Sequence, residues 1–312
     1  MSKFKVVFLI CVVLANSSFA LAKKQIIKIG AGSLLGSDYS VALELCKFIQ
    51  LSDPDHNTKC RIVPVESSIK NLSLLQEGKI DLGLVHANIA IQAFEGKGYY
   101  ANSKPMTNIS QVLKLHDKTF TVIVRDNEKI KVLADINNKK ISIGSNSSDG
   151  RIVYNDLSKL YNFEKEPIDI ILNHENCAQE FCAGKVDSMV LMTGHPNALI
   201  RHIAHHCEIN FLHIEDNKIE QFIKTNPEFH KTILNKSLYA GITEDQSSFS
   251  VPVLLVTTDK INPIFLKNFM HYFVKHLERF RTSHIILNKL NDSNYIDNLI
   301  PINETVKEIV TK

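Results

Sequence analysis

Along most of the chain, short apolar runs of strand length alternate with stretches whose apolar residues recur at helical spacing. Residues 24–29 read as a strand, 41–50 as a helix and 60–65 as a second strand. A helix over 69–77 ends at Gly78, a strand follows over 80–86, and 88–95 is helical again. The pattern then restarts. Strands are expected at 120–125 and 140–143, a helix at 151–160, a strand at 169–172, a helix at 175–182 stopped by Gly184, a strand at 186–192 and a helix at 198–206. Residues 250–257 form a late apolar strand and 263–280 a long amphipathic helix.

The two halves match in outline. Leu75-Gln76-Glu77-Gly78-Lys79-Ile80-Asp81 and Phe181-Cys182-Ala183-Gly184-Lys185-Val186-Asp187 both read as a helix end, Gly-Lys, an apolar residue, then an acid that looks buried at a strand start. Repeated strand-loop-helix units argue for α/β lobes with largely parallel sheets. In such sheets ligands sit beyond the carboxyl ends of strands. The expectation is therefore two α/β lobes with a ligand cleft between them: lobe 1 over 23–118, lobe 2 with its hinge strands over 119–257, and C-terminal helices over 258–312 returning to lobe 1. The hinge strands fall near 119–124 and 251–256.

The first 22 residues stand apart. Lys3 and Lys5 precede a short apolar run, and Ala20-Leu21-Ala22 is the small-x-small pattern read by signal peptidase. The run is shorter than the roughly 20 residues of a membrane-spanning helix. It reads as a secretory signal cleaved after Ala22, which places the mature protein in the periplasm. Net charge is only +3, and the basic residues are spread without the stripe expected of a nucleic-acid binder. Of the six cysteines, Cys11 goes with the signal, leaving Cys46, Cys60, Cys177, Cys182 and Cys207. Export permits disulfides. A Cys46 to Cys60 bond would close a short loop between a helix and the next strand, and one of the other three must stay unpaired or pair elsewhere; residue order does not fix the connectivity, and buried free thiols are the alternative.

Candidate chemistry lies in the strand-to-helix loops. In Gly32-Ser33-x-x-Gly36-Ser37-x-Tyr39 the glycines allow a tight turn, and free N–H groups with the hydroxyls favour an anion; the plain alternative is a turn capped by Ser37 or Asp38. Ser67-Ser68 supplies one helix cap and one hydroxyl free to face a cleft. Ser145-Asn146-Ser147-Ser148 repeats that arrangement in the second half. His86 ends a strand, and Asn88 could reach the same cleft or cap a helix. His202, His205 and His206, with Cys207 next, place His202 and His206 on one helical face, but no H-E-x-x-H motif is present and a solvated helix end accounts for them, so no metal or other cofactor is expected. No catalytic motif stands out.

These loops resemble the TAXI-type solute receptors of TRAP (tripartite ATP-independent periplasmic) transporters. Residues 32–42, GSLLGSDYSVA, are similar to that family's first loop, with Asp38 in place of its first tyrosine. Residues 67–86, SSIKNLSLLQEGKIDLGLVH, resemble its second motif, with His86 replacing a glutamine. Leu133-Ala134-Asp135-Ile136 through Gly144, Gly194-His195-Pro196-Asn197 and Val251-Pro252-Val253-Leu254-Leu255-Val256-Thr257 follow in order. The resemblance implies a class II periplasmic-binding-protein fold that closes by hinge motion on an amino acid or small carboxylate. It also implies delivery to the permease subunits of a TRAP transporter, with the receptor a monomer and not an enzyme. By position it implies ligand contacts from Ser33, Tyr39, Ser68, His86, Ser145, Ser147 and Ser148, to which the loop reading adds Gly32, Gly36 and Asn88. Asp38 and Asp149 depart from the family pattern. An acid beside the cleft repels a carboxylate unless it points away or meets a ligand amine, so a glutamate- or glutamine-like solute is expected. The alternatives are a periplasmic enzyme on the same fold and a surface or immunogenic protein whose cleft is filled by its own side chains.

Overall fold

The computed structural model describes residues 24–34, 36–125, 130–163, 166–172 and 176–310. The expected signal sequence lies outside these residues. Among the described residues no helix is long and apolar enough to cross a membrane.

The first half runs β1 (Gln25–Ala31), α1 (Ser37–Leu51), β2 (Thr58–Pro64), α2 (Ser68–Gln76), β3 (Leu82–His86) and α3 (Ala87–Glu95). Then β4 (Ile109–Arg125) leads to β5 (Lys140–Ser142), α4 (Asp149–Tyr161), β6 (Ile168–Asp169), α5 (Cys177–Cys182), β7 (Ser188–Thr193) and α6 (Ala198–His206). The chain continues through β8 (Ile209–Phe211), α7 (Asn217–Thr225), β9 (His230–Leu234), β10 (Gln246–Thr258), α8 (Pro263–Lys275), α9 (Leu277–Thr282) and α10 (Glu304–Val310).

The sheet order β2-β1-β3-β10-β4-β7-β5-β6 shows why the sequence repeats. Parallel β2-β1-β3 in one half mirrors parallel β6-β5-β7 in the other. Each trio is bordered by a long antiparallel strand, β10 or β4, and these two pair with each other. The repeated acids do matched work. Asp81 Oδ2 accepts from the Lys28 amide at 2.7 Å, and Asp187 Oδ2 accepts from the Lys140 amide at 2.9 Å. Each carboxylate, half-buried rather than buried, fixes the start of one strand against the first strand of its half. Gly78 and Gly184 end the preceding helices at φ +66° and +81°, the left-handed turn that glycine takes without strain.

Three cores result. One packs α1 against the returning C-terminal segment, with Leu45, Phe48, Phe265, Phe269, Phe273 and Phe280 buried together. A second fills the far end of the other half around Phe181, Ile200, Ile203 and Phe211. The third lies across the middle and joins Leu72, Val85 and Ile89 to Ile152, Val153 and Leu157. There Phe120 of β4 stacks on Phe249 of β10 at 5.0 Å.

Several elements differ from the sequence expectation. β4 is 17 residues long, because its polar positions 110–119 pair with β10 rather than ending the strand. The helix expected over 263–280 breaks at His276, whose φ and ψ of -121° and 24° are not helical. β8, β9, α7 and α10 had no strong pattern of their own. Two disulfides form, Cys46–Cys60 and Cys182–Cys207. Cys177 stays free and buried, and burial pushes its thiol up to about 11.

Closing loops of this size stabilises a fold by about 3 kcal/mol. Replacing Cys46 and Cys60 together by serine should lower unfolding stability by about 2–4 kcal/mol in urea titrations. A thiol reagent should find no reactive thiol in the native mature chain and Cys177 alone after unfolding without reductant.

Candidate functional site

The carboxyl ends of the strands and the helix starts meet where the two halves face each other. Two buried networks sit there.

The first is built on α1. Gly36 is its N-cap, so neither Ser37 nor Asp38 serves as the cap. Both side chains turn inward instead. Lys118 Nζ, on β4, donates to Ser37 Oγ at 2.7 Å and lies 2.7 Å from Asp38 Oδ1. His116 Nε2 donates to the same Asp38 oxygen at 2.9 Å. Lys118 is only 4% exposed, so the pair sits in a medium where charge is costly unless compensated. Burial would raise the Asp38 carboxyl, but Lys118 and the His116 hydrogen bond outweigh it and hold Asp38 well below the usual carboxylate range. Burial pushes His116 down despite Asp38 beside it, leaving a neutral imidazole. Gly194, from the other half, lies so close to α1 that an added Cβ would meet Ser37 Oγ at 2.9 Å.

The second network joins α2 to α4. Ser67 caps α2 by accepting from the Lys70 amide at 3.3 Å, which leaves Ser68 to face the opposite half. There Asp149, the first residue of α4, receives the Ser68 amide at 3.1 Å and the Ser68 hydroxyl at 2.9 Å. The His86 amide donates to Ser68 Oγ at 2.9 Å, and His86 Nε2 lies 3.4 Å from Asp149. Burial pushes His86 down against the pull of Asp149, so it too is neutral. A serine, a histidine and an aspartate therefore converge, but the hydroxyl proton points at the carboxylate and no histidine nitrogen receives it. Ser68 is not activated as a nucleophile by this arrangement.

Beside β4, the Asn197 amide donates to the Tyr239 hydroxyl at 2.7 Å, and that hydroxyl donates onward to His195 Nδ1 at 2.6 Å. His195 Nε2 then carries the proton and donates to Thr121 Oγ1 at 2.8 Å. Burial holds His195 down to about 4, with Lys118 adding in the same direction.

The sequence-predicted residues divide into groups. Ser68 and His86 come together. Asn88 is buried in the first turn of α3 and caps nothing, since His86 holds the cap position. Gly32 and Gly36 form the turn before α1; the Gly36 amide donates to the Ser33 carbonyl at 2.8 Å, and an added Cβ at Gly32 would meet Asp38 at 3.2 Å. Tyr39 packs against the α1 core. Ser148 caps α4, accepting from the Arg151 amide at 3.3 Å and donating to the Ile143 carbonyl at 3.0 Å, so its hydroxyl is spent. Ser33 and Ser145 are exposed and Ser147 is half-buried. Asp38 and Asp149 neither point away nor wait for a ligand amine, because groups of this chain neutralise or bond both. Sequence reasoning missed Lys118 and His116, whose only signal was a polar stretch where the apolar strand was thought to begin.

The predicted loops are closed on each other. Open volume lies beside them, in a crevice of about 500 Å³ bounded by Lys114 to Asp117, the His195-Pro196 turn, His230, Thr232 to Asn235 and the returning segment near Ile285 and Lys289. Among the described residues no group of three or more His, Cys, Asp or Glu side chains could hold a metal ion.

Residues 29–303 match the model of the NMT1-like family. The chain belongs to that family. Among solved structures, one from Listeria monocytogenes named "Putative L-Cystine ABC transporter" aligns at 14% identity and TM-score 0.52, covering 85% of this chain and 97% of that one. The periplasmic aliphatic sulphonate binding protein of Escherichia coli aligns at 14% identity and TM-score 0.45, covering 92% and 78%. An ancestral arginine-binding protein bound to arginine aligns at 14% identity and TM-score 0.45, covering 81% and 92%. The fold of this NMT1-like protein is the two-lobed α/β fold of periplasmic binding proteins.

Two outcomes follow from the buried charges. Lys118→Met leaves Asp38 buried without its cation and should cost about 3 kcal/mol or more of unfolding stability, read by denaturant titration. Neutral buried histidines make the folded state bind fewer protons than the unfolded one below the ordinary histidine value. Stability from His195 is thus fully present above about pH 6.5 and is lost as pH falls toward about 4. Unfolding midpoints should fall across that window, and His195→Gln should make the decline shallower.

Proposed function

We propose that this chain is an extracytoplasmic solute receptor that binds an amino acid or small carboxylate between its lobes and hands it to a TRAP-type membrane permease. The observation that supports the reading most is the meeting of helix starts at the cleft. The starts of α2 and α4 meet where the halves touch, joined by Ser68 and Asp149, and helix starts favour a negatively charged group. Ser68 and His86 border that position, and the loop resemblance assigns ligand contacts to both. The TRAP-type partner rests on the same resemblance; the name of the Listeria fold relative points instead to an ABC-type permease. Export across the inner membrane rests on the first 22 residues.

A second reading has an observation of its own. The predicted cleft is closed by Asp149 and Ser68, which is what a surface protein that no longer transports would show. The mature chain from Lys23 onward, screened by thermal shift against amino acids and small carboxylates, decides between them. Ligand at about 100 times its dissociation constant adds roughly 2.7 kcal/mol, which raises the melting temperature by several degrees. A shift with glutamate, glutamine or one carboxylate is the expected result. No shift with any compound, and no co-purified small molecule in denatured protein by mass spectrometry, would leave the surface-protein reading standing.

A further inference from the structure

We propose that Asp149 is a tethered competitor for the solute: in the closed, solute-free chain its carboxylate holds the anion position at the start of α2, and an acidic solute takes that position only by displacing it. The inference rests on the solute-receptor reading and names a residue that sets which solutes the receptor accepts and how tightly.

Four observations carry it. First, α2 has no acidic residue in its own first turn. The compensating negative charge comes from the other half, 81 residues away, through the Ser68 amide and hydroxyl. Second, these contacts are those an acidic ligand would make: charge-assisted hydrogen bonds from a backbone N–H and a serine hydroxyl to one carboxylate. Third, α4 does not need Asp149 as its cap, because Ser148 already fills that role. The carboxylate is free to serve another site.

Fourth, the surroundings hold polar atoms that the closed chain leaves without partners. His86 Nδ1, Asn88 Oδ1 and the Tyr100 hydroxyl are buried and make no hydrogen bond. Those three residues are 3%, 2% and 5% exposed. His86 sits against Asp149, and Asn88 follows two residues later in the first turn of α3. Tyr100 lies close enough for Asp149 to repel its ionised form. A buried donor or acceptor without a partner costs free energy. Asp149 therefore satisfies Ser68 but not the rest of the pole. A solute that brings a carboxylate together with further polar groups can satisfy both, which is the differential affinity that opens the latch and closes the lobes on the ligand instead.

The test uses the mature chain and two variants, Asp149→Ala and the near-isosteric Asp149→Asn, with L-glutamate and succinate as probes in calorimetric titrations. Small-angle scattering without solute reports how far the lobes close. Removing the competing charge should tighten binding of at least one probe by about ten-fold or more. It should also enlarge the solute-free molecule. Adding Ser68→Ala to Asp149→Ala should abolish the gain. Circular dichroism confirms that each variant folds, and Asp149→Asn serves if Asp149→Ala does not. Unchanged or weaker binding of both probes in the folded variants overturns the proposal. If the wild type binds either probe while neither variant gains affinity, the receptor reading survives and the competitor alone is lost. If no solute binds any form, both are lost.

Discussion

β4 and β10 pair antiparallel from Ser250 opposite Thr119 to Thr258 opposite Ile109, and everything that faces across this molecule depends on that pairing. Backbone N–H and C=O groups buried on both sides of a sheet must find partners. A strand of 17 residues that is bordered by one lobe at its start and by the other at its end cannot leave either without losing those bonds. The two parallel trios are thereby joined along one ladder. Their carboxyl ends, where helices begin, are brought to the same seam.

At that seam the chain places charge in a low-dielectric setting and then neutralises it from within. Lys118 and His116 project from β4 to Asp38 at the start of α1, so the crossing strand and the first helix are joined by a buried ion pair. Asp149 joins the start of α4 to the start of α2. Asp38 is buried, and removing Lys118 leaves it uncompensated, whereas Asp149 is half-buried and held by hydrogen bonds from Ser68. Gly194 adds a steric condition, since any side chain there would push against Ser37. The two halves are in this way joined by a few contacts at the N-termini of three helices.

The same contacts explain why the loops carry so many hydroxyls. Ser67 and Ser148 end up as helix caps, while Ser68 is turned across the cleft. Local physics makes adjacent serines before a helix interchangeable in sequence. Only the direction of each Cα–Cβ bond in the folded chain separates the structural hydroxyl from the one that meets a carboxylate.

Much of the architecture was legible in residue order. The alternation of apolar runs and helical stretches determined the α/β class. The paired Gly-Lys-apolar-Asp segments determined the repeat, because glycine after a helix and an acid at a strand start have local causes. The helix at Ala198–His206 was open to the same local reasoning, whereas the pairing of the cysteines was not and was decided by the fold. What residue order left open was every relation between distant polar groups. Lys118 and His116 looked like the end of a strand, and Asp149 looked like a misplaced acid beside a cleft. Tertiary structure decided that Lys118 neutralises Asp38, that His116 donates to it and that Asp149 bonds Ser68. The physical reason is that patterning fixes which face of an element turns inward. Which polar group meets which across 81 residues is settled only when folding brings both out of bulk water and each must find a partner.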